Sequence, residues 1–140
     1  MKALSVSSFY AMQIMLGHKT IEWRTWSTVH RGKLLICSNR ERVPGTIPGH
    51  ALCVVRITDV RPFTQKRNDL EAACLRRGDV EGGYAWQLEF ESIVKPFPVR
   101  GKPGLFEVAD DIIEQINEDS MTEGETSAFV EQYITPLLVV

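Results

Sequence analysis

From Tyr84 to Ile93 the side chains alternate in character: Tyr84, Trp86, Leu88 and Phe90 fall on one side, Gln87, Glu89 and Glu91 on the other. Only an extended chain sends successive side chains to opposite faces, so this order predicts a strand with one buried and one solvated face. Pro96 and Pro98 are expected to break it. Ala3 to Val6, Lys33 to Cys37 and His50 to Val60 read as further strands, and Thr20 to Trp26, rich in Trp and Thr, as an extended segment. Glycine and proline pairs at Pro44-Gly45, Pro48-Gly49, Gly82-Gly83 and Gly101 to Gly104 punctuate the loops between them.

Two helices are predicted among these strands. The first starts at Ser7 or Ser8, which can cap it, and stops at Gly17, placed where a left-handed residue ends a helix. Phe9, Tyr10, Met12, Ile14, Met15 and Leu16 leave it little polar face, so it should be mostly buried. The second covers Gln65 to Arg77, with Leu70, Ala73 and Cys74 on one face. Near the end of the chain, Ile112, Ile113 and Ile116 form one helical stripe, and the Phe129/Tyr133 and Val130/Ile134 pairs another. Ser120-x-x-Glu123 and Thr122-x-x-Glu125 are capping-box candidates before that last helix. At 140 residues the chain can bury a core unaided, and 24% charged with 44% hydrophobic residues excludes a disordered or fibrous polymer.

A net charge of −2 hides a segregation. Met1 to Val108 carries 16 Lys+Arg against 10 Asp+Glu; Ala109 to Val140 has 8 acidic residues and no basic one. A basic body points to an anionic partner, whereas the acidic, apolar-ended tail is expected to dock on the core or on a second subunit. The expected division is 1–108 for a basic domain and 109–140 for an acidic helical extension. Cys37, Cys53 and Cys74 are widely spaced, and His18, His30 and His50 are isolated. Neither a disulfide framework nor a metal site is indicated, and no cofactor is called for. Free thiols, a start unlike a secretory leader and no apolar run of about 18 residues lead to the expectation of a cytoplasmic protein without a membrane span.

The densest chemistry is Gly17-His18-Lys19-Thr20-Ile21-Glu22-Trp23-Arg24. Arginine offers a planar fork for phosphate or a base edge, lysine a mobile charge, and glutamate an acceptor for an exocyclic amino group such as the N4 of cytosine. Trp23 or Trp26 could stack a base, an interaction of about 1–3 kcal/mol. In a regular strand Glu22 and Arg24 share a face while Lys19 points away, so convergence of all three requires a turn near Lys19. A surface ion pair beside two core tryptophans is the plainer alternative.

Gly17-x-Lys19-x-x-Glu22-x-Arg24 resembles the signature of ASCH domains, a family named for homology to activating signal cointegrator 1. Lys2-Ala3-Leu4-Ser5-Val6, Arg31-Gly32-Lys33-Leu34-Leu35-Ile36, Tyr84-Ala85-Trp86-Gln87-Leu88 and Pro98-Val99-Arg100-Gly101-Lys102-x-Gly104-Leu105-Phe106-Glu107 resemble its strands in the family's order, from Lys2 to about Val108. The resemblance implies an α+β fold: a small, mostly antiparallel β-barrel, PUA-like, with flanking helices and a cleft between the first helix and the barrel. It further implies binding of RNA or a nucleotide, with Lys19, Glu22 and Arg24 in the cleft. Thr20 and Trp26 are added as neighbours of the signature, and Arg31, Lys33, Arg40 and Arg42 as phosphate contacts.

One branch, the N4-acetylcytidine amidohydrolases, implies the alternative of a hydrolase acting on a modified pyrimidine nucleoside or on RNA. Its catalytic lysine matches Lys19, but its catalytic threonine falls on Glu22, a carboxylate. Thr20 and Thr25 are the nearby hydroxyls, and Glu71 the nearest counterpart of its catalytic glutamate. Lys19 and Glu22 would then be the catalytic pair. Protein association through the tail is compatible with either reading.

Overall fold

The computed structural model describes all 140 residues. Seven strands form one curled sheet that wraps into a half-barrel: β1 (Lys2–Val6), β2 (Ile21–Arg24), β3 (Gly32–Ser38), β4 (His50–Pro62), β5 (Tyr84–Pro98), β6 (Leu105–Glu107) and β7 (Gln115–Ile116). Their order is β2-β5-β4-β3-β1-β6, with β7 beside β5. Every pairing is antiparallel except that of β1 with β3. That parallel contact requires a crossover, and the chain between the two strands supplies the helix α1 (Ser8–Met15) together with β2.

Local chemistry explains the ends of α1. Ser7 is its N-cap and accepts from the Tyr10 amide, while Gly17 takes φ +81° past the C-terminus. Ala11, Met12 and Ile14 face the sheet, whereas Phe9 and Leu16 remain exposed, so the helix is less buried than its composition suggested.

The β5 strand does not stop at Pro96 but runs on to Pro98. Past Val94 it has left β7 and pairs only with β4, and the β4–β5 register shifts between Ala51 and Cys53. A proline lacks a ladder donor, but an edge and a register shift are the places where a sheet does not ask for one. A second register shift, between Val54/Ser92 and Val55/Phe90, interrupts the alternation and leaves Phe90 exposed.

Two apolar clusters lie on the two faces of the sheet. The larger includes Leu4, Val6, Leu34, Ile36, Leu52, Ile57 and Trp86 under α1. The other gathers Ala3, Leu35, Val54, Val94 and Phe106. A third, of Ile21, Phe63, Leu70, Ala73 and Ala85, seats the helix α2 (Arg67–Ala73) against β2 and β5.

Residues 109–140 return to this body. Ile112, Ile113 and Ile116 do not form a helical stripe: a 3-10 turn covers Asp110–Ile112, and Gln115–Ile116 is β7, paired with Ile93 and Val94. An unfilled backbone edge on β5 offered ladder bonds that a short isolated helix could not match. The helix α3 (Glu123–Phe129) does form behind a complete Thr122/Glu125 capping box, then loosens into a π-turn over Val130–Ile134. Phe129 and Ile134 belong to the larger cluster, and Tyr133, Leu137 and Leu138 pack on it. Val139 then bridges Thr46 and Gly45 by backbone bonds of 2.9 and 2.8 Å. No helix is long and apolar enough to cross a membrane.

Because Phe129 fills the main core, Phe129→Ala should destabilise the whole protein by about 3 kcal/mol in urea denaturation. The exposed neighbour Val130→Ala should shift it by less than about 1 kcal/mol.

Candidate functional site

Lys19 lies in the turn between α1 and β2, ahead of the strand, so the alternation that begins at Ile21 does not govern it. Its amide returns to Gln13 O at 3.1 Å, and the Thr20 amide donates to Ala72 O at 2.8 Å. The Lys19 Nζ donates to the Ala73 carbonyl and sits 4.5 Å from the centroid of the Tyr10 ring. Residues 19 and 20 thereby satisfy two of the open carbonyls at the end of α2, where an ammonium is also favoured by the helix dipole. That helix ends at Ala73 because Cys74 turns left-handed, with φ 56°, the only non-glycine residue at positive φ.

Glu22 completes the link. Its Oε1 is 3.6 Å from Lys19 Nζ and its Oε2 3.5 Å from Arg24 Nε. The Lys19 and Glu22 side chains are 1% and 6% exposed, so each charge has exchanged water for the other. Burial lowers the Lys19 pKa against the pull of Glu22, and it raises the Glu22 pKa against the pull of both cations. Arg24 Nη2 donates to Ser5 O at 2.9 Å, whereas Arg24 Nε is buried without a hydrogen bond. Such a donor has lost water and gained no acceptor, a state that functional sites tolerate and cores rarely do.

These groups open onto a cavity of about 510 Å³, walled by the end of β1 and start of α1 (Val6, Ser7, Tyr10), by the end of β2 and the bend after it (Trp23 to Trp26), and by Leu75, Asp79 and Val80 after α2. The convergence therefore exists and it faces a hollow, which the surface ion-pair alternative does not. Trp26 is half-buried and meets Trp86 edge-on at 4.7 Å, with its carbonyl taking the Trp86 indole N–H. Trp23 is held by Gly82 O at 2.9 Å. Gly83 lies beneath it: a Cβ there would stand 2.6 Å from Trp23 Nε1 and 2.8 Å from Arg24 O.

Other candidates are not brought to the cavity. Thr20 is exposed and lines a separate depression with Arg61 and Asn68, whereas Thr25 stands on the cavity wall. Glu71 is exposed and paired with Arg67 Nε at 2.8 Å. Arg31 bonds the Thr28 and His30 carbonyls, and Lys33 pairs with Glu91 at 3.0 Å. Arg40 and Arg42 are exposed on the loop before β4. Sequence reasoning missed Tyr10 and Asp79. Tyr10 read only as part of an apolar helix, and Asp79 as one charge in a polar loop; no spacing tied either to the signature. No group of three His, Cys, Asp or Glu side chains is arranged to hold a metal.

Asp69 fixes the start of α2, the helix whose last carbonyls receive the Thr20 amide and the Lys19 ammonium. It accepts from Arg61 Nη1 and Nη2 at 2.8 and 2.7 Å and from the Thr64 amide and hydroxyl at 3.1 and 2.8 Å, in the first turn of a helix that has no side-chain N-cap bond. The Arg61 fork holds its carboxyl well below the usual carboxylate range, assisted by Thr64. A carboxyl whose pKa falls on folding stabilises the native state above its unfolded pKa and loses that contribution as pH falls through the folded one. Asp69→Asn should therefore cost about 2 kcal/mol at pH 7. In urea denaturation the gap between wild type and variant should narrow as pH drops below about 4.

The family model of the ASCH domain matches residues 4–122, a span that runs past Val108 into the acidic segment. Among solved structures, the chain is similar to the crystal structure of ASCH from Zymomonas mobilis, with a TM-score of 0.62 and 14% identity over 83% of this chain and 97% of that one. It is likewise similar to two single-substitution variants of that protein. The Tyr-to-Phe variant has a TM-score of 0.55 and 15% identity, over 94% of this chain and 96% of that one. The Ser-to-Ala variant has a TM-score of 0.58 and 14% identity, over 93% and 94%. At such identity the likeness is one of fold. No curated protein matches the chain. With more than four-fifths of its residues under the family model, this chain belongs to the ASCH domain family.

Proposed function

We propose that the cavity binds one nucleotide of an RNA. The observation that carries this reading is the convergence of Lys19, Glu22 and Arg24 on a hollow that also has an indole in its wall. Glu22 is an acceptor for an exocyclic amino group, Arg24 a planar donor whose side chain is about a quarter exposed, and Trp26 a flat apolar surface for a base. A hollow of this size takes a nucleoside and not a duplex, so the ligand is single-stranded or locally unpaired.

Labelled single-stranded RNA should bind in fluorescence anisotropy at low salt, and its affinity should fall steeply as salt rises. Arg24→Gln should weaken it about tenfold, a loss of one charged contact of about 1.4 kcal/mol. Absence of binding above background at low salt would overturn the reading.

A second reading, hydrolysis of an acylated pyrimidine nucleoside such as N4-acetylcytidine, draws on the lowered pKa of Lys19. An amine whose charged form is disfavoured by burial gives up its proton more readily, and in the neutral form can take one from water as that water adds to the acetyl carbonyl. The bond from carbon to N4 then breaks, N4 receives the proton, and acetate and cytidine leave. The Thr25 hydroxyl and the Asp79 carboxylate stand on the same wall as further polar groups. Purified protein should then release acetate from N4-acetylcytidine, and Lys19→Ala should abolish it. Turnover that survives that substitution would refute the assignment.

A further inference from the structure

Half of the sixteen cations of this chain already have partners: Lys2 pairs with Glu107, Lys19 and Arg24 with Glu22, Lys33 and Arg56 with Glu91, Arg61 with Asp69, Arg67 with Glu71, and Lys95 lies over the Tyr133 ring. Arg40, Arg100 and Lys102 form no ion pair. They meet around one depression of about 380 Å³, whose other walls are Ser5, Ser38, Asn39, Val99, Gly101 and Pro103. No carboxylate lines it. Three like charges around one hollow repel one another, and a bound anion relieves that repulsion.

This depression is separated from the signature cavity by a single stretch of β1. Ser5 lines the depression and Val6 and Ser7 line the cavity. Along an extended chain Ser5 and Ser7 are about 7 Å apart, the scale of one nucleotide step. Ser5 also ties the two hollows together mechanically. Its carbonyl holds Arg24, and its side chain sits where a Cβ on Gly101 would be, 2.7 Å from Oγ. Only glycine at 101 lets the turn carrying Arg100 and Lys102 close against the strand this tightly.

We propose that Arg40, Arg100 and Lys102 form a phosphate subsite that takes the backbone phosphodiester adjoining the nucleotide held in the signature cavity. The subsite rests on the reading of that cavity as an RNA site. It makes the recognised ligand a strand of at least two nucleotides, with the base read on one side of Ser5 and a neighbouring phosphate gripped on the other. A mononucleoside occupies only the first hollow.

Two probes separate the parts: a labelled mixed-sequence single-stranded RNA of about 12 nucleotides, and cytidine, which has no phosphate. The double variant Arg100→Gln/Lys102→Gln should weaken the RNA at least tenfold at low salt. It should also flatten the slope of log affinity against log salt by about 0.7, the contribution of one phosphate contact in a single strand. Arg40→Gln, on the facing wall, should weaken the RNA too and flatten the slope by no more than about 0.7, because all three cations hold the same phosphate. Cytidine binding should be unchanged in both variants, and Arg67→Gln, a paired cation on α2, should leave the RNA slope as in wild type. Thermal melts of these exposed-residue variants should match wild type. If wild type binds RNA and the double variant binds it with the same affinity and slope, the subsite is overturned while the cavity reading stands. Equal weakening of cytidine and RNA also overturns it, because the residues would then act on the cavity itself. Failure of wild type to bind RNA at all removes the cavity reading and the subsite with it.

Discussion

The Lys19 ammonium is the joint at which this fold is assembled. An alkylammonium removed from water needs compensation from every side, or it loses its proton. Here the compensation comes from three separate elements: the Tyr10 ring on α1, the terminal carbonyl of α2, and Glu22 on β2. Each is usable only when the others are in place. The same ammonium closes an open helix end, so one charge serves the stability of α2 and the electrostatics of the cavity together. The left-handed turn at Cys74, unfavourable for a residue with a Cβ, is tolerated because it ends the helix at the carbonyl that Lys19 reaches.

Glu22 is buried between two cations at distances just beyond good hydrogen bonds. A tighter triad would be a finished structural network. This one retains a donor on Arg24 without an acceptor, so part of the desolvation cost is left uncompensated in the free protein.

Much of this was legible in the residue order, for reasons that are local. The cap at Ser7, the stop at Gly17, the β5 alternation and the capping box at Thr122 are all set by neighbours a few residues apart. The signature was also legible, because its residue types at that spacing resemble those of ASCH domains. What the order did not show is what depends on distant segments. Tyr10 and Asp79 reach the cavity from other elements. Pro96 and Pro98 are admitted because the sheet has an edge and a register shift there. The isoleucines at 112, 113 and 116 gave a helical period, yet a vacant backbone edge on β5 drew Gln115 and Ile116 into a strand. Periodicity reports which face is apolar; it does not report which neighbour is waiting.

The backbone bridge from Val139 to Thr46 and Gly45 ties the far end of the acidic segment to the loop that carries Arg40 and Arg42. A loop rich in glycine and proline ordinarily samples its own conformations independently of the body. Stitched to a segment that is itself anchored by Phe129 and Ile134, this one loses that independence. Its amides are thus expected to exchange with solvent as one cooperative unit with the closing segment, so a negatively charged stretch of chain governs how often a positively charged loop is free to move.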